Sequence, residues 1–124
     1  YTVLALLYSH LNFDSQEKFH KDHLHPASYF QGLKKSDFAD EDEFVFYTNP
    51  ENWNSIVNLQ LLNPLLNESK LAMPLDKWVK DNNINLGNQL IPDNVSLDVK
   101  DFRIFVDERK KLLAKRLKKI IDGV

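Results

Sequence analysis

The longest regular pattern lies at the C-terminal end of the chain. From 97 to 122, Phe102, Phe105, Val106, Leu112, Leu113, Leu117, Ile120 and Ile121 recur at helical spacing among charged residues. That spacing predicts one long amphipathic helix with a single apolar stripe. Gly123 stands where such a helix would be capped. At the other end, Val3, Leu4, Leu6, Leu7 and Leu11 predict a helix over 1–11. Residues 18–24 are few and run toward Pro26. Because the residue before a proline avoids the helical region, this stretch reads as a strand or extended segment.

The middle of the chain alternates short elements with breakers. A short helix is expected over 27–36 and a polar loop over 37–43. "FVFYT" (44–48) is aromatic and β-branched, which suits a strand by propensity or a packed loop. "NPENWNS" (49–55) is turn chemistry. "IVNLQLL" (56–62) reads as a short strand. Asn63 can cap a helix that opens with Pro64 and ends near Pro74. "PLDKWVKDNN" (74–83) reads as another helix, and 84–96 as irregular chain. The order is strand, long connection, strand, helix, with further helices around that core. The fold class expected is α+β, mostly helical.

Composition narrows the class of protein. The 124 residues suit one domain. There is no cysteine, which excludes disulfides and cysteine-ligated zinc and fits a reducing, cytoplasmic setting. No apolar run approaches membrane-spanning length. The opening "YTVLALLYSHL" lacks both the basic region and the small-residue cleavage site of a signal peptide. Its abrupt start without Met is expected of a piece of a longer protein. The net charge of −2 hides an uneven distribution. "DFADEDEF" (37–44) is acidic, whereas "ERKKLLAKRLKK" (108–119) is basic and is either a solvated helix face or a phosphate-facing surface.

Candidate chemistry concentrates in "FHKDHLHP" (19–26), which holds His20, Asp22, His23 and His25. Three imidazoles together allow a zinc site, but that reading leaves the downstream asparagines without a role. Asn58 sits in an apolar stretch, where an unpaired amide would be expensive to bury, so a hydrogen-bonding role is expected. Asn67 and Lys70 are three residues apart and share one face of the helix after Asn63. Asp22 and the Asn67 amide oxygen are the ligand types a hard divalent ion prefers. In a fully extended strand Asp22 and His23 point to opposite faces, so a shared site needs a bend, which Pro26 makes feasible. His10 reads as packing, and Trp53 and Trp78 as core.

These residues carry a resemblance. "DHLHP" followed by "NLQLLNPLLNESK" is similar to the HNH endonuclease motif, also called the ββα-metal or His-Me finger. With the flanking "WNSIV" and the C-terminal helix, the chain from about 15 to 122 resembles the C-terminal nuclease domain of GmrSD-type restriction and phage-defence proteins. The resemblance implies a ββα-metal core of two short strands and a helix, surrounded by further helices. It implies hydrolysis of DNA phosphodiesters with Mg²⁺ or another divalent ion such as Mn²⁺. His23 would be the general base and Asp22 and Asn67 the metal ligands. Asn58 would orient the loop that carries His23, and Lys70 would meet the phosphate or brace that loop. The partners implied are DNA and an N-terminal nucleotide-binding, ParB-like module. His25 and Ala27 depart from the pattern, since relatives often carry an apolar or aromatic residue and a lysine there. A catalytically silent HNH-like scaffold, serving as a nucleic-acid or protein interaction module through its basic helix, is the alternative.

Overall fold

The computed structural model describes residues 2–11 and 19–123. Residue 1 of the first expected helix and residue 18 of the first expected strand lie outside them. The fold is mostly helical, with one small antiparallel sheet and a long C-terminal helix. The sheet pairs β1 (His20–His23) with β2 (Leu59–Leu62), Asp22 standing opposite Gln60 and His23 opposite Leu59. Residues opposite each other share a face, so alternation sends Gln60 and Leu62 to one side and Leu59 and Leu61 to the other.

Each side of this hairpin feeds its own core. Leu62 joins Leu24, Phe30, Trp53, Leu75, Trp78 and Ile91 in the larger cluster. Leu61 joins Leu4, Leu7, Tyr8 and Leu90 in the smaller one. Helix α1 (Thr2–Leu7) closes the second side. The first side is covered by α5 (Pro64–Lys70) and α6 (Leu75–Asp81). Helix α7 (Phe102–Asp122) spans both, with Phe102, Phe105 and Val106 in the larger core and Leu113 in the smaller. The apolar stripe read from the sequence serves two clusters in turn as far as Leu117, while Ile121 near its end is exposed.

Several boundaries differ from the expectations, each for a local reason. "FVFYT" is helical, not extended: α3 runs Glu41–Thr48 and takes in the last three residues of the expected polar loop. Asp40 accepts a hydrogen bond from the Asp42 amide, and Glu41, Asp42 and Glu43 sit in the first turn, where the helix dipole favours negative charge. Those start signals outweigh the β propensity of the five residues after them. The turn at 49–55 contains a one-turn helix, α4 (Pro50–Trp53), capped by Asn49. The expected helix over 27–36 is shorter, α2 (Ala27–Gln31), followed by a 3₁₀ turn, Lys35–Asp37. The strand expected over 56–62 begins only at Leu59, because Ile56–Asn58 forms a 3₁₀ turn. Gly123 caps α7 where the sequence places the cap, with φ −84° in the right-handed region.

One buried cation ties these parts together. Arg109 of α7 is 0% exposed and has no carboxylate partner among the described residues. Its Nη1 donates to the Val57 carbonyl at 3.1 Å, and its Nη2 to the Leu59 carbonyl and the Tyr8 hydroxyl at 3.0 Å each. The Tyr8 hydroxyl donates in turn to the Gln89 carbonyl. Arg109→Leu would orphan two carbonyls and a hydroxyl, and should lower the unfolding free energy by about 3 kcal/mol or more. Tyr8→Phe removes a smaller share, about 1 kcal/mol. Urea unfolding followed by tryptophan fluorescence should rank them in that order. Equal midpoints for Arg109→Leu and the unaltered protein would show that the guanidinium does not hold the parts together.

Candidate active site at the end of the hairpin

β1 stops at His23, and Leu24, His25 and Pro26 then turn the chain into α2. Asn58 enforces this turn. It is 0% exposed and its amide is fully engaged. Oδ1 accepts from the His25 amide at 2.9 Å, and Nδ2 donates to the carbonyls of His25 and Trp53, also at 2.9 Å. The Asn58 backbone carbonyl accepts from the Leu24 amide at 2.8 Å. The expected loop-orienting contacts are thus present, although Asn58 lies in the turn before β2 rather than in the strand. Arg109 holds the carbonyls on either side of it, so the clamp is itself clamped.

The bend brings Asp22 and His23 onto the wall of one cavity of about 210 Å³, shared with Pro26, Ala27, Ser28, Leu71 and Ala72. Both residues are half-buried. His23 Nε2 lies 2.9 Å from Asn54 Oδ1, and its ring lies 6.0 Å from that of Trp53. An amide oxygen only accepts, so Nε2 is the donor in this contact and Nδ1 is the ring nitrogen left without a partner among the described residues. Asn54 was legible in the sequence only as turn chemistry. The available signal was its place just after the one-turn helix and four residues before Asn58, which puts ring and backbone of the same loop under one segment's control.

Asp22 Oδ2 is buried without a hydrogen-bond partner. Burial pushes the carboxyl pKa above the usual carboxylate range, while the charges of Lys70 and His23 pull it back. Lys70 is 0% exposed and donates from Nζ to the Met73 carbonyl at 2.8 Å, 5.9 Å from the Trp78 ring centre. Burial lowers its pKa and Asp22 raises it. Of the two roles expected for Lys70, this placement fits bracing; the ammonium has no exposed surface to offer a phosphate.

Asn67 is half-buried, one turn before the cavity-lining Leu71, and its side-chain amide has no partner among the described residues. Leu71 ends α5 at φ 42°, ψ −131°, a conformation that is strained for a leucine. The Leu71 amide bonds the Asn67 carbonyl, and the Met73 amide the Lys70 carbonyl, so both flanks of the strained turn are fixed. Asn67 is not among the residues that line the Asp22–His23 cavity; the unpartnered carboxylate oxygen of Asp22 is a donor type that a hard divalent ion takes.

The three histidines do not converge. His20 is exposed at the start of β1, while His25 is sealed in the larger core, with ring centres 4.6 Å from Phe105 and 5.4 Å from Phe102, both edge-on. The His25 ring borders a separate apolar cavity, of about 200 Å³, with Tyr29, Pro74, Leu75 and Val99. Neither of its ring nitrogens has a partner. His10 does more than pack, since it bonds Asn88 and Arg116. No protein-family model, curated protein or solved structure matches the chain.

The His25 pKa falls to about 3, chiefly through burial, with the Lys70 charge adding to the fall and Asp98 opposing it. The unfolded chain takes up this proton near 6.5 and the folded chain only near 3, so stability is lost as pH drops between those values. The slope is about 1.4 kcal/mol per pH unit in that window. His25→Phe should abolish this part of the acid sensitivity and raise stability at neutral pH by about 1 kcal/mol or more, since it removes two unpaired nitrogens. Urea midpoints of both proteins across that range test the point; parallel curves would refute it.

Proposed function

We propose that this chain is a metal-dependent nuclease domain of the HNH, ββα-metal type, hydrolysing DNA phosphodiesters. The observation that carries the reading is the cavity walled jointly by Asp22 and His23, where His23 Nε2 bonds Asn54 Oδ1 and Nδ1 is left without a partner among the described residues. Phosphodiester hydrolysis needs a base for the attacking water and positive charge near the phosphate. His23 Nδ1 takes the water proton. Asn54 holds the ring in register and accepts the Nε2 hydrogen bond, which strengthens as the imidazole becomes cationic. Asn58 fixes the backbone on which His23 is carried.

Asp22 and Asn67 would hold Mg²⁺ or Mn²⁺, with waters and phosphate completing the shell. The bound ion would supply the charge that neutralises the phosphate and the leaving oxygen. Lys70 keeps positive charge behind Asp22 and braces the chain after α5. In this reading the protein belongs to a modification-dependent restriction or phage-defence system, and an N-terminal ParB-like module contributes recognition.

Plasmid cleavage with Mg²⁺ or Mn²⁺ tests the assignment. His23→Ala should lower the rate by roughly 10²-fold or more. Asn54→Ala should lower it less and displace the pH profile, because it frees the ring without removing it. Asp22→Ala and Asn67→Ala should each weaken divalent-ion binding measured by calorimetry. Cleavage undiminished in His23→Ala would eliminate the base assignment. Metal binding that ignores Asp22→Ala would favour a silent scaffold.

A further inference from the structure

The second side of the hairpin carries a groove that the proposed chemistry does not use. Its volume is about 540 Å³, and it is lined by His10, Gly87, Leu90, Leu112, Lys115, Arg116 and Lys119. No acidic residue is among these. The groove lies between the end of α1 and the C-terminal half of α7, away from α5, which stands on the other side of the sheet.

Its guanidinium is fixed in place. Arg116 Nε donates to the Leu7 carbonyl and Nη2 to His10 Nδ1, each at 3.2 Å. His10 Nε2 donates to the Asn88 carbonyl at 2.9 Å, which leaves Nδ1 to accept from Arg116. Nη1 has no partner among the described residues. Lys115 and Lys119 are exposed and four residues apart on one face of α7, a like-charge pair that destabilises an isolated helix. Neither lysine nor Arg116 has an ion-pair partner among the described residues. The helix dipole favours a cation in the last turn, at Lys119, but has little hold on Lys115 and Arg116 a turn earlier. In a chain of net charge −2, this is a local positive excess with one preset donor.

We infer that this groove binds the phosphate backbone of a nucleic acid, with Arg116 as the oriented contact and Lys115 and Lys119 as flanking charges. The spacing of three cations along a helix edge fits a repeating anion, and charged contacts of this kind act through counterion release. The inference stands on residues other than those of the Asp22–His23 cavity.

The test is fluorescence anisotropy of a short labelled DNA duplex with the 124-residue chain in EDTA, over a range of salt concentrations. Because nothing is cleaved under these conditions, the outcome is independent of the nuclease reading. Lys115→Gln with Lys119→Gln should weaken binding by about tenfold or more at low salt, and reduce the slope of log K against log salt by about 2. Arg116→Met should weaken binding further. Because it also releases α1, its fold is checked by circular dichroism, and if it melts early the exposed lysine pair decides the outcome. Lys77→Gln with Lys80→Gln on α6 should leave the slope unchanged. Groove variants that behave like this α6 control, or an unaltered chain that does not bind at low salt, would overturn the inference. So would a labelled polyglutamate that binds as tightly as the duplex with the same losses, which would assign the groove to an acidic protein segment.

Discussion

A buried arginine without an anion is the constraint on which the arrangement rests. Desolvating a guanidinium is expensive, and here the compensation is entirely neutral: two backbone carbonyls and a phenol. Those carbonyls belong to Val57 and Leu59, so the arginine grips the chain on both sides of Asn58. Asn58 in turn spends its amide on both backbone polar groups of His25 in the loop after β1, and on the Trp53 carbonyl. The position of the His23 imidazole is thus fixed by a relay that begins on a helix more than eighty residues downstream. Removing any member leaves buried polar groups without partners, and this makes the relay cooperative.

Within the hairpin, two asparagines divide the work. Asn58 controls the backbone and is sealed; Asn54 controls the ring and is exposed. The sealed one is structural in the ordinary sense, while the exposed one bonds Nε2 of the ring and leaves Nδ1 free. Asp22 and Lys70 add a second pairing, each buried enough to feel the other's charge without a direct hydrogen bond between them. A carboxylate oxygen left unbonded beside a buried ammonium is a place where negative charge is held short of satisfaction.

Much of this could be read from the chain. The long C-terminal helix, the two strands, the capped helix at Asn63-Pro64 and the hydrogen-bonding role of Asn58 followed from spacing, capping and the cost of burying an amide. Other features were hidden for physical reasons. "FVFYT" has strand propensity, but its helical state is decided by Asp40 and the acidic turn upstream, and a five-residue window misses them. Arg109 reads as one more charge in a basic run. Only packing reveals that its position on the apolar stripe sends it inward while Lys110 and Lys111 point out. The separation of His25 from His23 was likewise invisible, because adjacency in sequence says little once a loop is pinned to the core. Whether Asp22 and Asn67 share an ion depends on side-chain convergence that spacing does not encode.

The sheet itself consists of two strands of four residues. A hairpin so small does not persist in water on its own. The site is therefore not a portable cassette. A peptide spanning β1 through α5 would carry every side chain assigned to the chemistry, yet would lack Tyr8, Phe102, Phe105 and Arg109, which give those side chains fixed coordinates. Transplanting the motif into another scaffold would mean transplanting the far helix along with it.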